Sequence, residues 1–144
     1  MPGGPPKLES MRAMFSAMDR AERIQALIDV ADGFRPVPEA IAARPYPGER
    51  RVPHCESEAF VFAVPRDDGT LKFHFAVENP QGISAMAAAV ILDKTCSGAP
   101  LDLVESIDPD VMYDIFGREL SMGKNMGLTS LVNMVRAEAA RHRR

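Results

Sequence analysis

The chain carries 144 residues, 46% of them hydrophobic and 26% charged, with a formal net charge of −3, the make-up of one compact domain around a single core. Its basic residues are scattered apart from Glu49-Arg50-Arg51 and Arg141-His142-Arg143-Arg144, so no basic face points to nucleic acid. No apolar run reaches the roughly 18 residues of a spanning helix, which argues against a membrane protein.

The opening Met1-Pro2-Gly3-Gly4-Pro5-Pro6-Lys7 lacks the apolar centre of a signal peptide. It predicts a disordered leader over residues 1–9 and a cytoplasmic chain whose thiols stay reduced, with one domain over residues 10–144. Residues 10–18 read as a short helix carrying Met11, Met14, Phe15 and Met18 at three- and four-residue spacing; the stripe suits core packing, a partner-facing surface being the other use. Asp19 and Glu22 form a capping-box signature, after which Ile24, Leu27, Ile28 and Ala31 mark one helix face that ends at Gly33 as a left-handed cap. Residues 34–51 hold Pro36, Pro38, Pro45 and Pro47, predicting a long loop with one turn near residues 39–43. Loops of more than about 12 residues in small domains tend to be functional or disordered.

That loop leads into Arg51-Val52-Pro53-His54-Cys55-Glu56-Ser57-Glu58-Ala59-Phe60-Val61-Phe62. Pro53 biases Val52 to extended geometry, and the apolar residues from Ala59 onward favour a strand, so Cys55 falls at a loop tip or strand start. A thiol attacks as its thiolate; His54, Arg50 and Arg51 favour that form, whereas Glu56 and Glu58 oppose it. The other reading is a half-buried cysteine packed as a small hydrophobe. In the following hairpin Phe60, Phe62 and Val64 share one face and Ala59, Val61 and Ala63 the other. Arg66-Asp67-Asp68-Gly69 turns the chain, and Leu71, Phe73, Phe75 and Val77 then point inward, opposite Lys72, His74 and Glu78. His74 reads as a solvated strand residue.

Asn79-Pro80-Gln81-Gly82 closes the strand, and Ile83, Met86, Ala87, Val90 and Ile91 mark a helix running to about Lys94. Cys96 follows as a structural residue. A short helix over residues 101–106 precedes Asp108-Pro109, an N-cap with proline behind it, and a helix through Val111, Met112, Ile115 and Phe116 stopped by Gly117. Residues 121–127, Ser-Met-Gly-Lys-Asn-Met-Gly, read as a loop without the order of a phosphate loop. The last helix, residues 128–143, buries Leu128, Leu131, Val132, Val135 and Ala139. The whole reads as α+β, a small antiparallel sheet of about three strands packed on one face by N- and C-terminal helices.

Two cysteines cannot close a metal site unless histidines join. His54 is adjacent to Cys55, His74 lies in a strand and His142 in the tail, so no metal is expected. A Cys55–Cys96 disulfide is disfavoured by the compartment. The chain also lacks the Cys-x-x-Cys of a thioredoxin-like redox enzyme.

Taken together, these features resemble the SufE family of cysteine desulfuration proteins, the sulfur acceptors of iron–sulfur cluster assembly, from about Ser10 to Ala140. The family's Gly-Cys-Gln-Ser followed by a strand is matched by His54-Cys55-Glu56-Ser57 ahead of Glu58-Ala59-Phe60-Val61-Phe62, with cysteine and serine kept. The family's late Ser-Arg-x-x-Gly-Leu is matched by Gly123-Lys124-Asn125-Met126-Gly127-Leu128, where lysine keeps the charge but not arginine's bidentate fork. Cys96 has no counterpart in that pattern. The resemblance implies that Cys55 takes a persulfide sulfur from a pyridoxal-phosphate cysteine desulfurase (SufS-like), stimulating it, and passes the sulfur to a SufB-like scaffold. This transferase-like acceptor needs no metal or organic cofactor on its own chain. His54, Glu56, Ser57 and Lys124 are then the residues expected to bind the partner or stabilise the persulfide, and a homodimer stays open. Two other readings compete: a metal or cluster scaffold of related fold, and a non-catalytic interaction module with an incidental thiol.

Overall fold

The computed structural model describes residues 4–118 and 122–143. Among the described residues, six α-helices and a two-stranded antiparallel sheet make an α+β fold: α1 (Pro6–Ser16), α2 (Arg20–Ala31), β1 (Ala59–Pro65), β2 (Leu71–Val77), α3 (Ile83–Cys96), α4 (Leu101–Glu105), α5 (Val111–Phe116) and α6 (Met122–His142).

The hairpin follows the alternation in its sequence. Val61 pairs with Phe75 and Ala63 with Phe73, all on the inner face, while Phe62 pairs with His74 and Phe60 with Ala76 on the outer. Gly69, at φ 85°, supplies the left-handed residue of the turn, whose Arg66 N–H donates to the Thr70 carbonyl at 2.8 Å. The inner face packs on α3, where Ala85, Ala87, Ala88 and Ala89 are all buried; small side chains bring helix and sheet close. The helix is buried around most of its girth: of the expected face, Ala87 and Ile91 are buried, Met86 and Val90 partly so, and Ile83 is 46% exposed. The outer face is covered by the proline-rich loop, whose Val37 and Tyr46 close over Phe60, Phe62 and Ala76. Tyr46 lies 5.1 Å from the Phe60 ring and 5.6 Å from that of Phe62, and each such pair contributes about 1 kcal/mol beyond the area it buries.

The sheet has two strands among the described residues where about three are predicted. The segment before Cys55 makes only a single bridge, Arg51 to Phe60, and one hydrogen bond from Val52 N–H to the Ala59 carbonyl at 2.8 Å. Pro53 has no N–H to continue a ladder, and the chain turns there. On the far side, the edge of β2 away from β1 is engaged at Leu71, Phe73 and Phe75, through main-chain groups. The Leu71 carbonyl accepts from Gly98 N–H at 2.9 Å, Phe73 N–H donates to Ser97 Oγ at 2.9 Å, and the Phe75 carbonyl accepts from Val37 N–H at 2.8 Å.

The helices depart from the sequence pattern at their ends and faces. α1 starts at Pro6, so residues 6–9, predicted as leader, are helical; Leu8 is fully buried and extends the Met11–Phe15 stripe by a turn. Met14 is 50% exposed. In α2 the capping box forms as predicted, with Asp19 Oδ1 accepting from Glu22 N–H at 2.9 Å and Glu22 Oε1 from Asp19 N–H at 3.1 Å. Leu27 and Ala31 are buried while Ile24 and Ile28 stay 48% and 39% exposed. Arg23 donates to the Phe15 and Met18 carbonyls across the α1–α2 corner. Gly33 is not left-handed; the helix ends on Asp32 in right-handed geometry. Asp108 caps no helix with its side chain but accepts from Asp110 N–H, and α5 begins at Val111, two residues after Pro109.

The largest departure is at α6. Residues 122–127, predicted as loop, are its first turns; Ser121 lies outside the described residues. A helix-interior glycine costs about 1 kcal/mol against alanine, and the propensity of Gly123 and Gly127 argues for a loop. Burial of Leu128, Leu131, Val132, Val135 and Ala139 on the predicted face offsets that cost.

Candidate functional site

Cys55 is half-buried at the tip of a turn whose base is Val52, fully buried, and Ala59. The turn closes with Glu58 N–H donating to the Cys55 carbonyl at 3.2 Å, and it is tied to the end of β2 by Glu78 N–H to the Glu58 carbonyl and Asn79 N–H to the Ser57 carbonyl, both 3.1 Å. Two residues in it are left-handed, His54 at φ 59° and Glu58 at φ 53°. Histidine tolerates that region better than most side chains, yet each such residue stores about 1 kcal/mol of strain. The geometry explains why a glycine suits position 54.

Two glycines that the sequence reading passes over seat this turn. A Cβ on Gly127 of α6 would lie 3.2 Å from Cys55 Cα and 3.2 Å from the His54 carbonyl oxygen, and one on Gly82, ahead of α3, would lie 2.8 Å from both Cβ and Oγ of Ser57. Backbone therefore meets the turn on two sides. The available signals were the Asn-Pro-Gln-Gly turn and the Gly-Leu pair, neither of which encodes a tertiary distance.

Between turn, α3 and α6 lies a pocket of about 200 Å³ lined by Cys55, Glu56, Ser57, Gly82, Ile83 and Lys124, among others. The structure thus brings four of the five predicted site residues, Cys55, Glu56, Ser57 and Lys124, to one concavity. The first turn of α3 has no side-chain cap and forms another part of the wall, placing the positive end of its dipole there. His54 is not in that pocket. It lines a second, more open cleft on the other side of the turn with Arg51, Pro53 and Met126, and Cys55 and Glu56 line both. Ile83 beside the pocket and Met126 beside the cleft are 46% and 42% exposed, so the thiol sits between two apolar shoulders.

Upstream, Arg50 at the end of a short 3₁₀ turn (Gly48–Arg50) reaches Glu138 of α6 at 3.2 Å, and Arg141 reaches the same carboxylate at 2.7 Å. Burial works to raise the Glu138 carboxyl, but the hydrogen bond from Arg141 and the charge of Arg50 outweigh it and hold the group below its usual range. This brace fixes the chain five residues before Cys55.

The remaining candidates lie elsewhere. His74 is half-buried on the outer face of β2; burial first and the Lys72 charge second push its pKa down, against a smaller pull from Asp93. Cys96 is 0% exposed, and burial pushes its thiol up to about 12, against a weaker hydrogen bond with Thr95 at 3.6 Å. Both cysteines are free. Among the described residues no group of three or more His, Cys, Asp or Glu is arranged to hold a metal ion, and no helix is long and apolar enough to cross a membrane.

Comparison with known proteins adds to this geometry. The family model described as "SufE: Fe-S metabolism associated domain" matches residues 9–139. No match is found among curated proteins. The solution structure of a hypothetical protein from Thermus thermophilus is similar at 22% identity over 96% of this chain and 97% of that one, with a TM-score of 0.77; at that identity the likeness shows the fold alone.

Proposed function

The chain belongs to the SufE family, with a role in Fe–S metabolism, and from that premise we propose that it is a sulfur carrier that loads Cys55 from a cysteine desulfurase and unloads it toward cluster assembly. The observation that carries this reading is the placement of Cys55 at a turn tip with a pocket on one side and an open cleft on the other.

The transfer is a thiol–persulfide exchange. The Cys55 thiolate attacks the terminal sulfur of the desulfurase's cysteine persulfide; the donor's S–S bond breaks and its electron pair leaves on the donor thiolate, so that Cys55 becomes the persulfide. A second thiolate, on the acceptor, takes the same terminal sulfur and restores Cys55. No net oxidation occurs and no cofactor on this chain takes part. Lys124 and the positive end of α3 favour an anionic sulfur in the pocket, and Ser57 contributes a hydroxyl donor. The exposed Ile83 and Met126 give the pyridoxal-phosphate desulfurase two apolar contacts that bracket the thiol. The reading places the exchange in a reducing compartment, the cytoplasm, with a SufB-like scaffold downstream.

Incubating the protein with a cysteine desulfurase, pyridoxal phosphate and cysteine, then reading intact and peptide masses, tests the proposal. One added sulfur on Cys55, absent in Cys55→Ser, supports it. Stimulation of the desulfurase that survives Cys55→Ser would leave only the interaction module.

A further inference from the structure

We propose that Gly127 and Gly82 are positioning residues that seat the Cys55 turn, with the turn pressed between α6 and the start of α3. The proposal rests on the sulfur-carrier reading only for its consequence, not for its geometry.

Gly127 sits within α6, flanked by the exposed Met126 and the buried Leu128. Helix propensity alone favours alanine at such a position. What alanine would meet is backbone: Cys55 Cα and the His54 carbonyl oxygen, each at 3.2 Å, with Cys55 Cβ at 3.5 Å. One side must give. α6 is held by Leu128, Leu131, Val132 and Val135, all buried, whereas the turn exposes Pro53, His54 and Glu56 and already carries a left-handed histidine. The turn is therefore the side that moves, away from α6. At the other end, a Cβ on Gly82 lies 2.8 Å from Ser57 Cβ and Oγ and 2.9 Å from Val77 Cγ1. Ser57 is two residues from Cys55, and its carbonyl is fixed by Asn79, so pressure there also reaches the thiol. The seat thus determines how closely the thiol is held against α6 and the start of α3.

The test uses the free protein and iodoacetamide, with no desulfurase present. Gly127→Ala is expected to raise the alkylation rate of Cys55 by about fivefold or more, as the added methyl pushes the turn off α6 and shifts its population toward poses that expose the thiol, while Cys96 stays unmodified and the Tm is not raised. Gly82→Ala is expected to act in the same direction. Unchanged Cys55 alkylation in both variants, or a raised Tm with unchanged alkylation in Gly127→Ala, overturns the seat. Alkylation of Cys96 in step with Cys55 also overturns it, because the substitutions would then be loosening the whole fold. Sulfur loading by a desulfurase is read separately: a wild-type protein that never gains sulfur on Cys55 refutes the carrier reading and leaves the alkylation result standing.

Discussion

The two cysteines share one side chain and nothing else. Cys96 ends a helix walled in by alanines, is fully buried, and has its thiol pushed up to about 12 by the loss of water. Cys55 stands on a strained turn with a concavity to either side. Burial makes the first a packing group, and access makes the second a candidate nucleophile. The contrast teaches that the turn, rather than the thiol, is the specialised part of this protein.

The largest expected effect comes from removing each thiol in turn. Cys55→Ser should reduce sulfur loading to background, whereas Cys96→Ala should leave it intact while lowering stability by about 1 kcal/mol for the small cavity it opens; mass spectrometry and denaturant melts check both. Equal loss of loading in the two variants would erase the distinction. Labelling sharpens it further. Native protein should take one equivalent of a maleimide, at Cys55, and a second only in guanidinium. The pH profile comes next. Because the folded Cys96 pKa, about 12, exceeds its reference of 9.0, the thiol's contribution to stability is complete below about pH 9 and is lost as pH rises toward about 12. Urea melts of wild type should weaken over that window more than those of Cys96→Ala. A smaller effect is expected at the pocket wall: Lys124→Ala should slow sulfur loading by roughly fivefold, the scale of about 1 kcal/mol for a partly solvated charge, with Lys124→Arg recovering most of it. The smallest concerns the brace, where Glu138→Gln should cost about 1 kcal/mol in a thermal melt and leave the labelling of Cys96 unchanged.

Features with local causes were legible in the sequence. The strand alternation set both faces of the hairpin, the Asp19–Glu22 pair capped α2, and Pro53 followed by apolar residues put Cys55 at a turn before a strand. Where tertiary packing overrides local preference, the reading failed. Gly123 and Gly127 look like loop residues because intrinsic propensity opposes a helix there, yet the buried face of α6 outweighs them. Ile24 and Ile28 fit a helical stripe, but the face of α2 that packs inward runs through Leu27 and Ala31 and leaves both isoleucines facing solvent. At the site, Cys55 was singled out by its place between a proline-bearing loop and a strand, whereas Glu56, Ser57 and Lys124 came from the resemblance to the family's motifs. The contacts of Gly82 and Gly127 were not, because a missing Cβ carries no sign of what it lies against.

The engaged rim of β2 has a consequence for recognition. A visiting peptide that sought to lengthen the sheet there would find Leu71, Phe73 and Phe75 each already committed to a bond from within the chain. Strand addition, a common way for an open sheet to recruit an extended segment or begin a fibril, is thereby blunted on that side. A protein that takes hold of this molecule along that rim therefore gains more from its side chains than from its main chain.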